Sequence, residues 1–296
     1  MIERYVIHVT KLCNMRCLYC YEEDKTSTYT KKEILNLCKQ IADNNKDARF
    51  GIEFLGGEPM LAWDLIQAAY EFFESYCTDR VRDYVITTNG TILTDEQAEY
   101  LNRNPKIVYA VSMDGTKWAN QCRILKDGRN SYDLCVANIQ KAWDHHIPVC
   151  VHMVTHHYNV ANLYDSIVHL YDLGIHHIGV GTIETTRQID MSYCDRFVYE
   201  MNRVSEDIIN GRLAGLHVDI LDQLKPKNDV RTYIKDETGK TIGETYGRSK
   251  DDITSKDVYH SIRTTSPVED LIYGLRDCVY QNHQNRIQNA TQQRCD

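Results

Sequence analysis

At 296 residues with 42% hydrophobic side chains, the chain is long enough for one large domain, or a domain plus an extension, around a sizeable core. A net charge of −8 argues against a nucleic-acid backbone as the main partner and is compatible with a neutral or basic peptide. No apolar run approaches a membrane span, the start Met1-Ile2-Glu3-Arg4 lacks a signal-peptide layout, and eleven cysteines, an odd number, speak against a disulfide framework; the chain reads as cytoplasmic.

In chain order, the first predicted strand covers residues 5–10 and runs into Cys13-Asn14-Met15-Arg16-Cys17-Leu18-Tyr19-Cys20-Tyr21. A helix over 31–44 follows, with Thr30 as N-cap, Glu33 completing a capping box, and Ile34, Leu37, Cys38 and Ile41 forming its apolar stripe. The second strand, 49–55, ends in Gly56-Gly57-Glu58-Pro59 and gives way to a helix over 63–76. The third, 84–88, ends in Thr88-Asn89-Gly90, and Thr94 with Gln97 opens a helix over 94–102. The fourth, 106–112, ends in Ser112-Met113-Asp114-Gly115, with Arg123 on the way to a helix over 132–144. The fifth, 149–155, carries His152 and leads to His156, and its helix, 160–173, stops at Gly174. The sixth, 177–182, is followed by Glu184 and a helix over 193–210. The stretch 225–266 is polar and charge-rich and reads as a long excursion; a last helix is expected over 267–286.

Repeated strand–helix units predict parallel strands with right-handed crossovers: an α/β fold, a partial (β/α)6 barrel of the TIM type with a mainly helical and irregular C-terminal extension. The expected division is a core over 1–190 and an extension over 191–296. Ligands of such folds sit at the carboxyl ends of the strands. The cysteine loop and the three motifs at the ends of strands two to four all fall on that edge, whereas ordinary turn chemistry accounts for each motif only singly.

The chemistry follows from residue type. Thiolates are soft ligands that select iron–sulfur clusters, zinc or copper(I). Three cysteines on a cluster that normally takes four leave one iron open, and a closed zinc site wants a fourth Cys or His that the next turn of chain lacks. Gly56 and Gly57 let backbone approach a ligand, Glu58 offers an acceptor for an ammonium group, and Pro59 stiffens the exit. Arg123 has the planar fork that binds a carboxylate. Buried structural thiols explain Cys38, Cys77, Cys135 and Cys150. His152, His156 and Glu184 are candidates for proton transfer.

The cysteine spacing, three residues and then two with an aromatic before the last, resembles the radical S-adenosylmethionine (SAM) superfamily, and the ordered motifs extend the resemblance over residues 5–184. It implies that Cys13, Cys17 and Cys20 hold a [4Fe–4S] cluster whose open iron chelates SAM. Reductive cleavage of SAM then gives a 5′-deoxyadenosyl radical that takes hydrogen from the substrate. It implies Gly56-Gly57-Glu58-Pro59 at the methionyl amine, Ser112 and Asp114 at the ribose, Arg123 on a carboxylate, Tyr19 near adenine and Asn89 facing the same cavity. The wording of the motifs is most similar to the peptide- and protein-modifying branch, which includes anaerobic sulfatase-maturing enzymes and maturases of ribosomally made peptides. The implied partners are a peptide or protein substrate and a one-electron donor such as a flavodoxin or ferredoxin. That branch often carries a C-terminal auxiliary-cluster extension of the SPASM or twitch type. Here no glycine separates Cys278 from Cys295 and the sequence stops one residue later, so that extension is expected to be absent, degenerate or cut off. The alternatives are a glycyl-radical activase or small-molecule radical enzyme, an iron–sulfur carrier or SAM-binding module without turnover, and a zinc-binding structural protein.

Overall fold

A computed structural model describes residues 2–22, 24–183, 189–222, 230–235, 241–247, 259–262 and 267–293. Six parallel strands, β1 (Ile2–Thr10), β2 (Phe50–Gly56), β3 (Val81–Thr88), β4 (Ile107–Ser112), β5 (Val149–Thr155) and β6 (His177–Thr182), alternate with helices α1 (Lys31–Asn44), α2 (Trp63–Cys77), α3 (Asp95–Arg103), α4 (Tyr132–Asp144) and α5 (Leu163–Asp172). Helix α6 (Met191–Ile209) then leads to the short β7 (His217–Val218), which adds parallel to β6.

The sheet does not close into a barrel. On its other side β1 pairs antiparallel with β9 (Thr241–Gly247), which pairs with β8 (Val230–Lys235) and through it β10 (Tyr259–Ile262). The strand order is β10-β8-β9-β1-β2-β3-β4-β5-β6-β7. The edge of β1 that a closed barrel would give to its last strand is thus satisfied from the C-terminal segment. These three strands fall in the stretch the sequence reads as a polar excursion. Their sequences are rich in Thr, Tyr, Val and Ile but lack a long apolar alternation, and their ladder partners lie more than 200 residues upstream on β1 or on each other. A final helix, α7 (Pro267–Gln293), packs on α6; there Ser205 Oγ meets His283 Nδ1 at 2.8 Å.

Side-chain alternation explains the layers. Tyr5, Ile7 and Val9 of β1, Ile52 and Phe54 of β2, and Tyr109 and Val111 of β4 point into one core under the helices. Burying each such side chain stabilises the fold by about 1.5–3 kcal/mol. The helices start where the sequence places them. Thr30 Oγ1 accepts from Glu33 N at 3.2 Å while Glu33 Oε2 accepts from Thr30 N at 2.6 Å, and Thr94 and Gln97 repeat the box. Gly174 (φ 98°) reverses the chain after α5, with Ile175 N–H on Leu170 O at 3.0 Å. Of the scattered thiols, Cys38, Cys77 and Cys135 are buried, while Cys150 on β5 is half-buried. Among the described residues no helix is long and apolar enough to cross a membrane.

On the other face of the sheet Ser112, His152 and Gly179 lie side by side in register on β4, β5 and β6, and Thr87 donates to Glu53 Oε1 at 2.7 Å between β3 and β2. Because β1 to β6 all run the same way, their carboxyl ends share one edge, and every motif picked out in the sequence leaves from it.

Candidate active site

The cysteine loop is seated on the diglycine turn. Gly57 N–H donates to Thr10 O at 2.9 Å and Glu58 N–H to Leu12 O at 2.8 Å, so the chain beyond β1 continues to pair with the chain beyond β2. A Cβ on Gly56 would lie 1.9 Å from Thr10 O, and one on Gly57 would lie 2.4 Å from both Leu12 O and Lys11 O. The glycines are therefore required by the approach of the cysteine loop itself. On its far side the loop is held by Arg16 N–H on Ile124 O and Leu18 N–H on Cys122 O, both 2.9 Å, with Met15 buried between. Cys13 and Cys17 are half-buried, Cys20 is exposed, and all three are free thiols. Burial, with Cys20 and Cys13 close enough to oppose its ionisation, pushes the Cys17 thiol up to about 11.

Glu58 is wholly buried. Its Oε1 accepts from Thr88 Oγ1 at 2.6 Å and Met60 N at 3.0 Å, and its Oε2 from Asn89 N at 2.7 Å. Burial raises its pKa to about 7 against these three bonds. The carboxyl thus ties the turn after β2 to the end of β3. Asn89 in turn joins a closed ring: Asn14 Nδ2 donates to Thr91 Oγ1 (2.8 Å), Thr91 Oγ1 to Asn89 Oδ1 (2.6 Å), and Asn89 Nδ2 to Asn14 Oδ1 (2.8 Å). This ring latches the cysteine loop to the turn after β3.

A second cluster lies under the same loop. Asp114, fully buried, accepts from Arg123 Nε at 2.9 Å, Val154 N at 3.0 Å and Tyr19 Oη at 2.5 Å. The Arg123 guanidinium sits 5.3 Å from the centroid of the Tyr19 ring, a cation–π contact. Burial opposes the charge on Arg123, but the charged and polar groups around it, Asp114 foremost, together keep it protonated. Only Nε of Arg123 bonds Asp114, and among the described residues its η nitrogens show no hydrogen bond. Asn120 Oδ1 accepts from Asp114 N at 3.0 Å and fixes the turn.

His156 packs its ring 5.4 Å from that of Tyr19. Its Nδ1 accepts the Tyr158 N–H at 3.2 Å, which assigns the ring proton to Nε2. Burial lowers its pKa, so the ring is neutral, and Nε2 is buried with no partner among the described residues. An unpaired buried donor costs about 1–3 kcal/mol.

Of the residues singled out in the sequence, Cys13, Cys17, Cys20, Tyr19, Gly56, Gly57, Glu58, Pro59, Asn89, Asp114, Arg123 and His156 come together at the carboxyl edge around the cysteine loop. Ser112 is half-buried at the end of β4 on the sheet's other face, beside the exposed His152. The His152 ring lies over Gly179, where a Cβ would be 2.5 Å from Cδ2. Glu184 and Cys295 lie outside the described residues, and Cys278 is exposed on α7. Asn14, Thr91 and Asn120 were missed. Asn14 sits inside the cysteine motif and Thr91 two residues after Asn89, so position alone pointed to both. Asn120 carried no signal.

The donor set fits a multi-iron cluster. Three free thiols reach the carboxyl edge from one loop, and thiolates are the soft ligands that an iron–sulfur cluster takes.

A family model described as the Radical SAM superfamily matches residues 7–170. A cysteine-type anaerobic sulfatase-maturating enzyme of Clostridium novyi is 29% identical over 138 residues, 43% of this chain and 37% of that protein. The solved structure of native anSMEcpe with bound AdoMet and Cp18Cys peptide superposes with a TM-score of 0.66 at 15% identity, covering 74% of this chain and 63% of that one. Streptococcus suis SuiB bound to precursor peptide SuiA gives a TM-score of 0.55 at 19% identity, covering 73% of this chain and 48% of that one. The chain spans less than two thirds of the length of each of these proteins, and at such identities the two solved structures speak to the fold.

Proposed function

The chain belongs to the radical SAM superfamily, whose members use a [4Fe–4S] cluster and S-adenosylmethionine, and on that premise we propose that it modifies a peptide or protein substrate. The observation that carries this reading is the cysteine loop, pressed onto a diglycine turn so that three free thiols share the carboxyl edge of a parallel sheet. When bound, cluster and SAM supply one-electron cleavage of the sulfonium and hydrogen-atom abstraction; the protein supplies binding and orientation.

Cys13, Cys17 and Cys20 hold the cluster. They would do so as thiolates, and burial raises the pKa of the Cys13 and Cys17 thiols. Backbone groups of the Gly56–Pro59 turn line the place where the resemblance puts the methionyl amine. The Glu58 carboxyl, closed off by its three donors, contributes there by holding the turn and Asn89 in place. Arg123, anchored to Asp114 through Nε, would offer its η nitrogens to a carboxylate of the cofactor. Tyr19 is held by its hydroxyl on Asp114, leaving its ring for an apolar or heteroaromatic neighbour. His156 contributes a neutral Nε2–H donor beside that ring. Ser112 and His152 face the open side of the sheet. An external one-electron donor of flavodoxin or ferredoxin type would supply the electron.

The peptide assignment draws on the sulfatase-maturating relative and on the two peptide-bound structures with the same fold. The test is anaerobic turnover of the reconstituted chain with SAM, dithionite and synthetic cysteine- or serine-containing peptides, including any short peptide encoded beside its gene. The expected result is 5′-deoxyadenosine formation stimulated by one of these peptides, with a mass change in that peptide. Stimulation by a nucleotide or porphyrin instead, with every peptide inert, would overturn the assignment.

A further inference from the structure

Asn89 is fixed more tightly than a turn asparagine needs to be. Its backbone N–H is held by Glu58 Oε2 at 2.7 Å, its carbonyl accepts the Cys135 thiol at 3.2 Å, and its side chain is buried. The orientation of the amide is not ambiguous. One end accepts from the Thr91 backbone N–H at 3.0 Å as well as from Thr91 Oγ1 at 2.6 Å, and a backbone N–H can only donate, so that end is the oxygen. The other end is the NH2 group. It donates to Asn14 Oδ1 at 2.8 Å and stands 3.9 Å from Cys13 Sγ. The same sulfur takes the Met15 backbone N–H at 3.4 Å. Among the described residues neither Cys17 Sγ nor Cys20 Sγ accepts an N–H, and Cys20 Sγ points instead to the Glu22 carbonyl at 3.8 Å. The three thiols therefore differ: one carries two N–H dipoles and two carry none.

We propose that Asn89 is a positioning residue that sets the reduction potential of the cluster, by holding an amide N–H against the Cys13 sulfur. The inference rests on the cluster assignment above. An N–H dipole aimed at a ligating thiolate draws electron density from sulfur and stabilises the more negative, reduced cluster, so it raises the potential. The Thr91 backbone N–H on Oδ1 keeps the amide from flipping, and the Asn14–Thr91–Asn89 ring ties it to the cysteine loop. The buried Glu58 carboxyl holds the backbone from which the amide projects. Together they place a rigid support behind one ligand.

The test is an EPR-monitored redox titration, without SAM, of the reconstituted wild type, Asn89→Leu and Thr91→Val. Leucine keeps the heavy-atom branching of asparagine, adds no charge and removes the N–H. Valine loosens the same ring but leaves the N–H in place. At the wild-type midpoint, Asn89→Leu is expected to lower the ratio of reduced to oxidised cluster about tenfold, which is 59 mV for one electron, while Thr91→Val stays within about twofold. Equal potentials in all three proteins, or equal shifts in both variants, would overturn the proposal in favour of a purely structural latch. An Asn89→Leu protein that takes up no cluster would overturn it too, because tuning requires that the cluster form without this donor. A wild-type chain that takes up no cluster would instead sink the functional assignment, so the two failures are distinguishable.

Discussion

Gly57→Ala is expected to leave a folded chain that no longer retains iron. The new Cβ would sit 2.4 Å from the carbonyl oxygens of both Leu12 and Lys11, which are backbone atoms with no rotamer to yield. Overpacking of this kind costs about 1–3 kcal/mol or more, and it falls on the cysteine loop, whose own backbone carbonyls are the atoms struck. The sheet below keeps its own ladder, so far-ultraviolet circular dichroism stays near wild type. Iron and sulfide per chain after anaerobic reconstitution should fall about tenfold, equivalent to about 1.4 kcal/mol in the seating of the loop. Gly211→Ala is the control. Gly211 has φ 82° but nothing within 4 Å of its would-be Cβ, so it tests backbone strain without collision and should retain iron fully. Wild-type iron content in Gly57→Ala would show that the glycine is not what seats the loop.

Glu58 should impose a pH dependence on the stability of the metal-free chain. Its pKa is about 7 in the folded protein, against an ordinary value of 4.5. The folded state therefore binds more protons between those values, and stability falls as pH rises through that window. The contribution is fully present below 4.5 and lost by about pH 7, with a total of about 3 kcal/mol. Urea midpoints across pH 4.5 to 8 read it directly. Glu58→Gln should flatten this slope. It should also lower stability at pH 5 by about 1–3 kcal/mol, because an amide has one oxygen to meet three donors and must turn an N–H toward one of them. An unchanged slope in Glu58→Gln would assign the pH dependence to another group.

Much of the fold was legible because its signals are local. Alternation in Tyr5, Ile7 and Val9, the Thr30–Glu33 and Thr94–Gln97 boxes and the stop at Gly174 need no partner distant in sequence, and the elements fall where those signals put them. The positions of the motifs were legible for the same reason, since each ends a strand. What their side chains touch was not. Glu58 was read as facing a ligand, but its donors come from Met60 and from Thr88 and Asn89, the last two some 30 residues away and brought in only by the β2–β3 register. Asp114 was read as a ribose contact, yet Tyr19, Arg123 and Val154 converge on it from three separate segments. The glycines were read as making room for a ligand, and the room they make is taken by the cysteine loop. Strands β8 to β10 escaped because their ladder ends on β1, a partner that no local pattern reveals.

Whether the three cysteines form a working cluster site is decided by anaerobic reconstitution with iron and sulfide followed by dithionite reduction with SAM. The wild-type chain should form 5′-deoxyadenosine, and Cys13→Ala, Cys17→Ala and Cys20→Ala should form none. A wild-type chain that binds the cluster but never cleaves SAM, or a Cys17→Ala variant that cleaves it as well as wild type, would contradict it.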